Sequence, residues 1–363
     1  MFDNLYRGKK VLITGHTGFK GSWLCFWLMQ LGAEVCGFSL DVPTNPSNFE
    51  ILDLKKRINH IQGDIRDRKK LLHAVQAFNP DFVFHLAAQA LVRRSYNDPV
   101  ATFETNTLGT LNVLECMRVC PSIQVGVIIT SDKCYRNLEW PWGYREDDFL
   151  GGEDPYSASK GCAELIIYSY INSFYQRGPC LASTRAGNVI GGGDWAEDRI
   201  VPDAVRAWSR GIPVVIRSPE ATRPWQHVLE PLSGYLWLGA KLWDKAPEVV
   251  GEAFNFGPDS KVNHSVEELI ATMGRYWKGA DWKVERNEAD TKKESTLLKL
   301  CCDKSLNLIG WRAILSFQET AAMTAKWYRS FYDCGEKGMA DLAQLQIEEY
   351  GKKAEQEGLV WAT

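Results

Sequence analysis

The chain has 363 residues, of which 45% are apolar and 24% are charged, a composition typical of a folded globular protein with one large or two joined domains. A net charge of −3 argues against a nucleic-acid-binding protein, and no apolar run is long enough to cross a bilayer. The N-terminus lacks the apolar segment of a signal peptide, so we expect a cytoplasmic protein. The ten cysteines show no metal-binding spacing, which predicts reduced thiols and no metal site.

A glycine-rich loop follows the first predicted strand. Residues 11–14 predict a strand and residues 22–29 a helix, with the loop Gly15-His16-Thr17-Gly18-Phe19-Lys20-Gly21 between them. Glycines in this context allow a tight turn and close approach of the backbone to a pyrophosphate at the helix N-terminus. The spacing differs from the Gly-x-Gly-x-x-Gly of many dehydrogenases, and a purely structural turn is the alternative interpretation. The flanking strand and helix favour a dinucleotide-binding loop.

Acidic residues follow the next two predicted strands. The second strand, 34–40, ends at Asp41, where a carboxylate would bind the ribose 2′-hydroxyl of NAD. Lys20 is the opposing signal, because an ammonium would favour the 2′-phosphate of NADP. The third strand ends at Gly63-Asp64-Ile65, where Asp64 either bonds an adenine amino group or caps a turn. The balance of these signals favours NAD.

The fourth strand and the next helix predict a buried interior and a dimer. Residues 81–89 form a strand that ends in Leu86-Ala87-Ala88-Gln89, whose small side chains would let a nicotinamide or a pyrophosphate pass close to the backbone. We interpret His85 as a hydrogen-bonded core histidine. The helix over 100–119 and the helix that begins near Tyr156 are apolar on more than one face. Paired with their copies they would form a four-helix interface of a homodimer, or of a dimer of dimers.

Two polar clusters lie between residues 130 and 160. Ser131-Asp132-Lys133 follows the apolar strand 125–129, at the edge where open α/β sheets bind ligands. Tyr156 and Lys160 are four residues apart and share one helical face. An ammonium beside a phenol stabilises the phenolate, so we expect a lowered pKa for Tyr156 and a base that works near neutral pH. The alternative is an ordinary helix start with an exposed lysine.

The strand–helix alternation weakens after residue 190. Arg223-Pro224-Trp225-Gln226-His227 combines a guanidinium with two rings, a set suited to gripping a diphosphate and stacking on a base. A solvated surface with one buried tryptophan is the alternative. The predicted substrate contacts are Asn188, Arg199, Arg217, Arg223, Trp225 and His227.

The predicted fold class is α/β, with a Rossmann-type doubly wound parallel sheet. An NAD-binding domain would cover residues 1–190, and later segments at about 225–260 would return to it. A smaller α/β domain over 191–363 would bind the substrate, which the family resemblance described next implies to be a sugar nucleotide.

Together these motifs resemble the extended short-chain dehydrogenase/reductase family over nearly the whole chain. Within it the chain is similar to the branch of 4,6-dehydratases that acts on CDP-glucose, most specifically over residues 14–21, 130–135, 186–195 and 223–228. Related dehydratases of dTDP-glucose and GDP-mannose carry Asp-Glu where this chain has Asp132-Lys133, and the related epimerases have no such acid–base pair.

The resemblance implies a redox-neutral dehydration for deoxysugar and O-antigen biosynthesis. Tyr156 would remove the 4-hydroxyl proton while the C4 hydride passes to NAD, water would leave across C5–C6, and the hydride would return to C6. Asp132 would protonate the leaving 6-hydroxyl. Lys133 would either remove the C5 proton or remain a cation that stabilises the enolate.

The resemblance also assigns a role to each site residue. The implied catalytic residues are Ser131, which would bond the 4-oxygen, with Asp132, Lys133, Tyr156 and Lys160. The implied NAD contacts are Gly15, Thr17, Gly18, Phe19, Lys20, Gly21, Asp41, Asp64, Ile65, Leu86, Ala87, Ala88, Gln89, Asn106, Tyr156, Lys160 and Arg185.

Other functions on the same scaffold make different use of these residues. A nucleotide-sugar 4-epimerase or a simple ketoreductase would keep Tyr156 and Lys160 but would not need Asp132-Lys133. A dehydratase of another nucleotide sugar would keep all four. A dinucleotide-sensing binding protein would be expected to have lost Tyr-x-x-x-Lys, which this chain retains.

Overall fold

Seven parallel strands form the central sheet of the computed structural model, which describes residues 1–175, 178–259, 261–285 and 297–363. Apolar runs that are buried on both faces form its middle strands, as expected of a parallel sheet covered by helices. The described strands are β1 Lys10–Thr14, β2 Glu34–Ser39, β3 Asn59–Gln62, β4 Phe82–His85, β5 Val125–Ile129, β6 Cys180–Arg185, β7 Val189–Ile190, β8 Val214–Ile216, β9 Thr222–Arg223, β10 Gln226–His227, β11 Ala253–Asn255, β12 His264–Ser265 and β13 Trp282–Val284.

The strand order across the sheet is β11-β6-β5-β4-β1-β2-β3. The order reverses between β1 and β4, which creates a crevice at the carboxyl ends of these strands, where open α/β sheets bind ligands. The predicted doubly wound parallel sheet is therefore confirmed. β11 lies within the segment 225–260 and pairs with β6, so this part of the chain contributes an edge strand. The remaining short strands pair two by two outside the sheet.

Helices cover both faces of the sheet. The described helices are α1 Phe19–Gln30, α2 Asn48–Ile51, α3 Leu54–Arg57, α4 Arg68–Phe78, α5 Val92–Asn97, α6 Pro99–Phe103, α7 Gly109–Val119, α8 Pro155–Phe174, α9 Ile200–Ser209, α10 Leu229–Trp243, α11 Val266–Gly274, α12 Asp303–Ile309, α13 Phe317–Cys334 and α14 Met339–Gln356. A π-helical turn, Glu104–Leu108, joins α6 to α7, and 3₁₀ turns cover Phe2–Asn4 and Asp132–Cys134. None of the described helices is long and apolar enough to cross a membrane.

The two ends of the chain pack against each other. Phe2 stacks on Trp361 with ring centroids 5.2 Å apart, and Trp361 stacks on Tyr350 of α14. Tyr350 also packs edge-on against Trp27 of α1. The last helix of the predicted second domain therefore lies against the first helix of the dinucleotide-binding fold, and one continuous apolar core includes both. The boundary predicted at residue 190 stays a prediction.

Candidate active site

Ser131 and Asp132 lie at the carboxyl end of β5. Ser131 caps the 3₁₀ turn that follows, and its Oγ accepts a hydrogen bond from the Lys133 backbone N–H at 3.2 Å. The same hydroxyl donates to Asp132 Oδ1 at 2.9 Å. Both side chains are buried. The strand end and its capping turn thus fix a carboxyl group inside the protein, next to a hydroxyl.

Gly187 forms the opposite wall of the Asp132 site. A β-carbon at position 187 would stand 1.8 Å from Asp132 Oδ2, so only glycine leaves room for this carboxylate. Gln226 holds the Gly187 backbone by donating to its carbonyl oxygen at 2.9 Å. A cavity of about 10 Å³ lies here, with a lining of Asp132, Gly187, Pro224, Gln226, Gly257, Pro258 and Leu300.

Tyr156 and Lys160 lie in the first turns of α8. Asp154 caps the helix by accepting from the Ser157 N–H, and Pro155 is the first helical residue. Burial raises the pKa of Tyr156 to about 12, although a hydrogen bond with Ser131 opposes the shift. Burial lowers the pKa of Lys160 to about 8, although the negative charge of Glu164 opposes this shift. The expected lowering of the Tyr156 pKa is therefore wrong, because burial outweighs the hydrogen bond with Ser131 and the charge of Arg199.

Glu164 anchors this helix to the sheet. Its carboxylate pairs with Arg185 in a two-pronged contact, Nε–Oε1 at 2.9 Å and Nη2–Oε2 at 3.0 Å, and also accepts from Thr130 and Ser183. Arg185 Nη1 donates to Tyr135 at 2.7 Å and to a backbone carbonyl. The guanidinium is buried and engaged within the protein, which argues against the predicted contact of Arg185 with NAD. The pairing with Arg185 lowers the pKa of Glu164 despite its burial, so an anion lies one turn beyond Lys160.

Lys20 points from the glycine loop toward Asp132, Lys160 and Arg199. Its Nζ donates to Tyr235 Oη at 3.2 Å. Burial, with the positive charges of Lys160 and Arg199, lowers the pKa of Lys20 to about 8, while Asp132 opposes the shift. The ammonium is therefore bonded to α10 within the protein, which argues against the alternative role of Lys20 at a 2′-phosphate.

The glycine loop has the predicted turn geometry. Gly15 has φ +77°, and a β-carbon there would lie 2.6 Å from the Ala87 backbone nitrogen. A β-carbon at Gly21 would lie 2.2 Å from the Gly15 carbonyl oxygen, so glycine lets α1 pack close to the loop. Gly18 directly precedes α1, whose first residues are Phe19 and Lys20. The loop therefore presents the N-terminus of a helix at the switch point of the sheet, a geometry that suits an anionic diphosphate.

Comparison with known proteins places this site in a family. The family model described as GDP-mannose 4,6 dehydratase matches residues 12–324. The chain belongs to the GDP-mannose 4,6-dehydratase family. It is 46% identical to CDP-glucose 4,6-dehydratase of Salmonella typhimurium, over 90% of this chain and 92% of that protein. It is 25% identical to dTDP-glucose 4,6-dehydratase of Xanthomonas campestris, over 87% of this chain and 92% of that protein.

Solved structures of nucleotide-sugar enzymes share the fold of this GDP-mannose 4,6-dehydratase family member. The dTDP-glucose 4,6-dehydratase DesIV from Streptomyces venezuelae, solved with NAD, is 25% identical with a TM-score of 0.77, covering 88% of this chain and 97% of that one. UDP-glucose 4-epimerase from Thermus thermophilus, also solved with NAD, is 25% identical with a TM-score of 0.75, covering 88% and 99%.

Lys133 is only partly buried. Its ammonium makes no hydrogen bond or ion pair within the described part of the chain, so the ion pair with Asp132 that a purely structural role would require is not formed there. Lys133 is thus the chain neighbour of Asp132, but its side chain is not bonded to the Asp132 carboxyl.

The residues predicted to contact adenosine lie along the edge of the crevice. Asp41 is exposed and accepts from Gln62 Nε2 at 2.9 Å, and Thr17 Oγ1 donates to its backbone carbonyl at 2.6 Å. Asp64 is partly buried, yet hydrogen bonds and charge from Arg66 lower its pKa. The Asp64 carboxylate is therefore already paired within the protein, while its neighbour Ile65 is buried.

Asn106 and His85 tie the inner helices to β4. Asn106 lies in the π-helical turn, and its amide donates to Ser159 Oγ and to the Gln89 carbonyl while accepting from the Gln89 N–H. His85 bonds Thr14 and Thr110, and burial lowers its pKa to about 3. The interpretation of His85 as a hydrogen-bonded core histidine is confirmed. Leu86, Ala87 and Ala88 follow it into the crevice, each partly buried.

The basic residues after 190 divide into two groups. Arg199 faces the site: its Nη1 donates to Asp194 Oδ2 at 2.6 Å, and its charge opposes the rise in the pKa of Tyr156 that burial causes. Arg217 is exposed in a loose ion pair with Asp198 at 3.6 Å. Arg223 Nη1 donates to the Thr222 carbonyl at 2.9 Å, and Asn188 has a left-handed backbone with φ +53° beside Gly187.

Trp225 and His227 belong to the core. The indole of Trp225 is buried and donates to the His264 carbonyl at 3.0 Å. The His227 ring is fully buried edge-on to Trp23, and burial lowers its pKa to about 3. These placements argue against the predicted contacts of both rings with the substrate. The sequence shows that this segment contains two rings, but it does not show which side of the segment packs into the core.

Proposed function

We propose that the chain is an NAD-dependent hydro-lyase that converts CDP-glucose to CDP-4-dehydro-6-deoxyglucose. The observation that carries the proposal is the buried carboxyl of Asp132, which is hydrogen-bonded to Ser131 and acts by its charge on the buried Tyr156. A Tyr–Lys pair suffices to oxidise and epimerise C4, whereas loss of water also needs an acid at the departing hydroxyl. The identity of 46% with a CDP-glucose 4,6-dehydratase supports CDP-glucose as the sugar nucleotide.

The residues around the glycine loop fit a dinucleotide. A β-carbon at Gly18 would meet only the Gly15 carbonyl oxygen at 3.4 Å, so the space in front of α1 is open for a pyrophosphate. When bound there, NAD would accept a hydride from C4 and return it to C6. The residues proposed to hold it are Gly15, Thr17, Gly18, Phe19, Lys20, Gly21, Asp41, Asp64, Ile65, Leu86, Ala87, Ala88, Gln89, Asn106, Tyr156 and Lys160.

The chain's own residues divide the proton transfers. Tyr156 takes the 4-hydroxyl proton, and the positive charge of Arg199 favours the phenolate that this requires. Lys160, four residues further along α8, is proposed to add a second positive charge. Asp132 protonates the departing 6-hydroxyl. Lys133 is placed beside it as either the C5 base or a cation for the enolate, and both roles stay open.

Arg199 is the substrate contact that the geometry supports best, since it lies within the electrostatic reach of Tyr156 and Lys20. A guanidinium there would bind the diphosphate or an oxygen of the sugar. Arg217, Arg223 and Asn188 are proposed as further substrate contacts. The rings of Trp225 and His227 are buried in the core, where they support this segment, and they are not proposed as substrate contacts.

The proposed active form is a homodimer. Apolar side chains on α7 and α8 remain exposed in the single chain, which supports a four-helix interface with a second copy. A cytoplasmic location stays a prediction from the N-terminal sequence.

The experiment that tests the function is a comparison of four sugar nucleotides. The protein with NAD is incubated with CDP-glucose, dTDP-glucose, UDP-glucose or GDP-mannose, and product mass and NADH are followed. We expect loss of one water from CDP-glucose with no net NADH, because the hydride is returned. An unchanged mass with an inverted C4 would identify a 4-epimerase, and NADH released with each product would identify a simple dehydrogenase.

A further inference from the structure

The backbone of Tyr156 is held by a residue of another helix. Tyr156 is the second residue of α8, where backbone N–H groups have no partner within the helix. Both carboxylate oxygens of the cap, Asp154, accept from Ser157, and its carbonyl oxygen accepts from the Ala158 N–H. The Tyr156 N–H donates instead to Ser95 Oγ of α5, at 3.2 Å. The start of α8 is therefore fixed at Tyr156 from outside the helix.

The Ser95 hydroxyl is oriented and buried at this contact. It donates to the Val92 carbonyl oxygen of its own helix at 2.7 Å, so it meets the Tyr156 N–H as an acceptor. Ser95 is 0% exposed, so water cannot readily take the place of its hydroxyl. Removal of the hydroxyl would leave a buried N–H without a partner, which favours a shift of the first turn of α8.

The helix α5 connects this contact to the carboxyl end of β4. Leu91, the residue before α5, donates its N–H to Gln89 Oε1 at 2.7 Å. The Gln89 backbone is held in turn by Asn106, which donates to its carbonyl oxygen at 3.0 Å and accepts from its N–H at 2.8 Å. Ser95 thus joins Tyr156 to the strand end at which NAD is proposed to bind.

We propose that Ser95 is a positioning residue that sets the distance between the Tyr156 phenol and the bound cofactor. This inference rests on the proposed function, in which Tyr156 takes the 4-hydroxyl proton while the C4 hydride passes to NAD. Both transfers involve the same carbon of the sugar, so a displaced Tyr156 slows them together. Binding of the nucleotide does not require this spacing, because the proposed substrate contact Arg199 lies at the start of α9.

The test measures oxidation at C4 and nucleotide binding separately. The NAD-loaded wild type, Ser95→Ala, Ser95→Cys and Ser95→Thr are mixed with CDP-6-deoxyglucose, which has no 6-hydroxyl to lose, and bound NADH is followed through one turnover. Ser95→Ala should slow oxidation by about 10²-fold. Ser95→Cys should do the same without opening a cavity, because a thiol is a weak acceptor. Ser95→Thr keeps the hydroxyl and should retain most of the rate, and calorimetry should give one Kd for CDP in all four proteins.

Ser305→Ala is the matched control for a purely structural loss. Ser305 of α12 is also 0% exposed, and its hydroxyl donates to the Asn255 carbonyl oxygen at 2.5 Å. This variant should lose stability in urea but oxidise C4 at the wild-type rate. Oxidation at the wild-type rate in Ser95→Ala and Ser95→Cys, or a loss of CDP affinity as large as the loss of rate, would overturn the positioning role. Water loss from CDP-glucose by the wild type tests the proposed function separately, since C4 oxidation does not depend on it.

Discussion

The position of Asp132 depends on a neighbour that has no side chain. Because a β-carbon at 187 would stand 1.8 Å from Oδ2, we expect Gly187→Ala to displace the carboxylate. Misplacement of a catalytic group by about 1 Å can cost on the order of 10²-fold in rate. Dehydration of CDP-glucose should fall by about that factor, while oxidation at C4, which needs Tyr156 and Lys160, should persist.

Gly257 provides the matched control for this substitution. It lines the same small cavity, but a β-carbon there would lie 3.5 Å from Cys302 Sγ, an ordinary contact. Gly257→Ala should therefore leave dehydration near the wild-type rate. If Gly187→Ala dehydrates as fast as Gly257→Ala, the carboxylate of Asp132 is not the acid or is not held where the structure has it.

Asp132 and Lys133 can be separated by what each variant fails to do. Asp132→Asn and Lys133→Met should still oxidise C4, so enzyme-bound NADH should accumulate when CDP-glucose is added, whereas loss of water should fall by on the order of 10²–10⁴-fold. Deuterium exchange from solvent into C5 then distinguishes the two. Lys133→Met should abolish this exchange if the lysine is the C5 base, and Asp132→Asn should retain part of it. Exchange at the wild-type rate in Lys133→Met would leave the lysine only an electrostatic role.

The two clusters that we propose to be catalytic could be recognised in the sequence because their spacing is local, whereas their supporting contacts are not local. Tyr156 and Lys160 are four residues apart, and Ser131-Asp132 follows a strand, so both clusters can be read from the sequence. Glu164 lies four residues after Lys160, so its place on the same helical face could also have been predicted from the sequence. Its pairing with Arg185 joins a helix to a strand, and only the fold shows that this arginine faces the protein interior.

At the scale of elements, α10 is fixed to the C-terminal segment by a buried carboxylate. Glu230 accepts from the backbone N–H groups of Ile314 and Leu315 and from the Tyr350 hydroxyl. Burial raises the pKa of Glu230 from 4.5 to about 7, although these hydrogen bonds oppose the shift. The folded protein therefore keeps the proton of Glu230 up to about pH 7, whereas the unfolded protein loses it near pH 4.5. The contribution to stability is fully present below pH 4.5 and is lost as pH rises through 7.

Glu230→Gln should therefore stabilise the protein at high pH only. Above pH 7 the variant avoids a buried charge, and a pKa rise from 4.5 to about 7 corresponds to roughly 3 kcal/mol in the free energy of unfolding. Urea unfolding followed by tryptophan fluorescence at pH 5 and pH 8 measures the difference. Glu336→Gln, at an exposed position, should change neither value. An equal effect of Glu230→Gln at both pH values would show that this carboxyl does not titrate between them.

Long elements could be predicted from sequence and short ones could not. The apolar runs of β1 and β5 and the α8 start signal Asp154-Pro155 specify their elements locally. β8 and β13 have three residues each and pair only because the chain brings them together across about 70 positions. For the same reason the packing of α14 on α1 has no local signal.

At the scale of the whole molecule, the single chain leaves an apolar surface on the helix that carries Tyr156 and Lys160. Leu165 and Tyr168 of α8 are 58% and 68% exposed, and Val100 of α6 is 67% exposed. Monomeric proteins rarely expose contiguous apolar patches, and such patches mark interfaces. Tyr156 and Lys160 of the same helix are buried and do not belong to this surface. Pairing with a second copy would cover it and brace the helix from outside.

A charged substitution in this surface should produce a monomer. Leu165→Asp places a carboxylate where the partner helix would pack, and it should leave folding unchanged because Leu165 is exposed in the single chain. Sedimentation velocity of the wild type should give a dimer or larger assembly, and that of Leu165→Asp about half its mass. Leu345→Asp is the control, since Leu345 is a similarly exposed leucine, on α14. A wild type that sediments as a monomer, or a Leu165→Asp protein that keeps its assembly, would place the interface elsewhere or remove it.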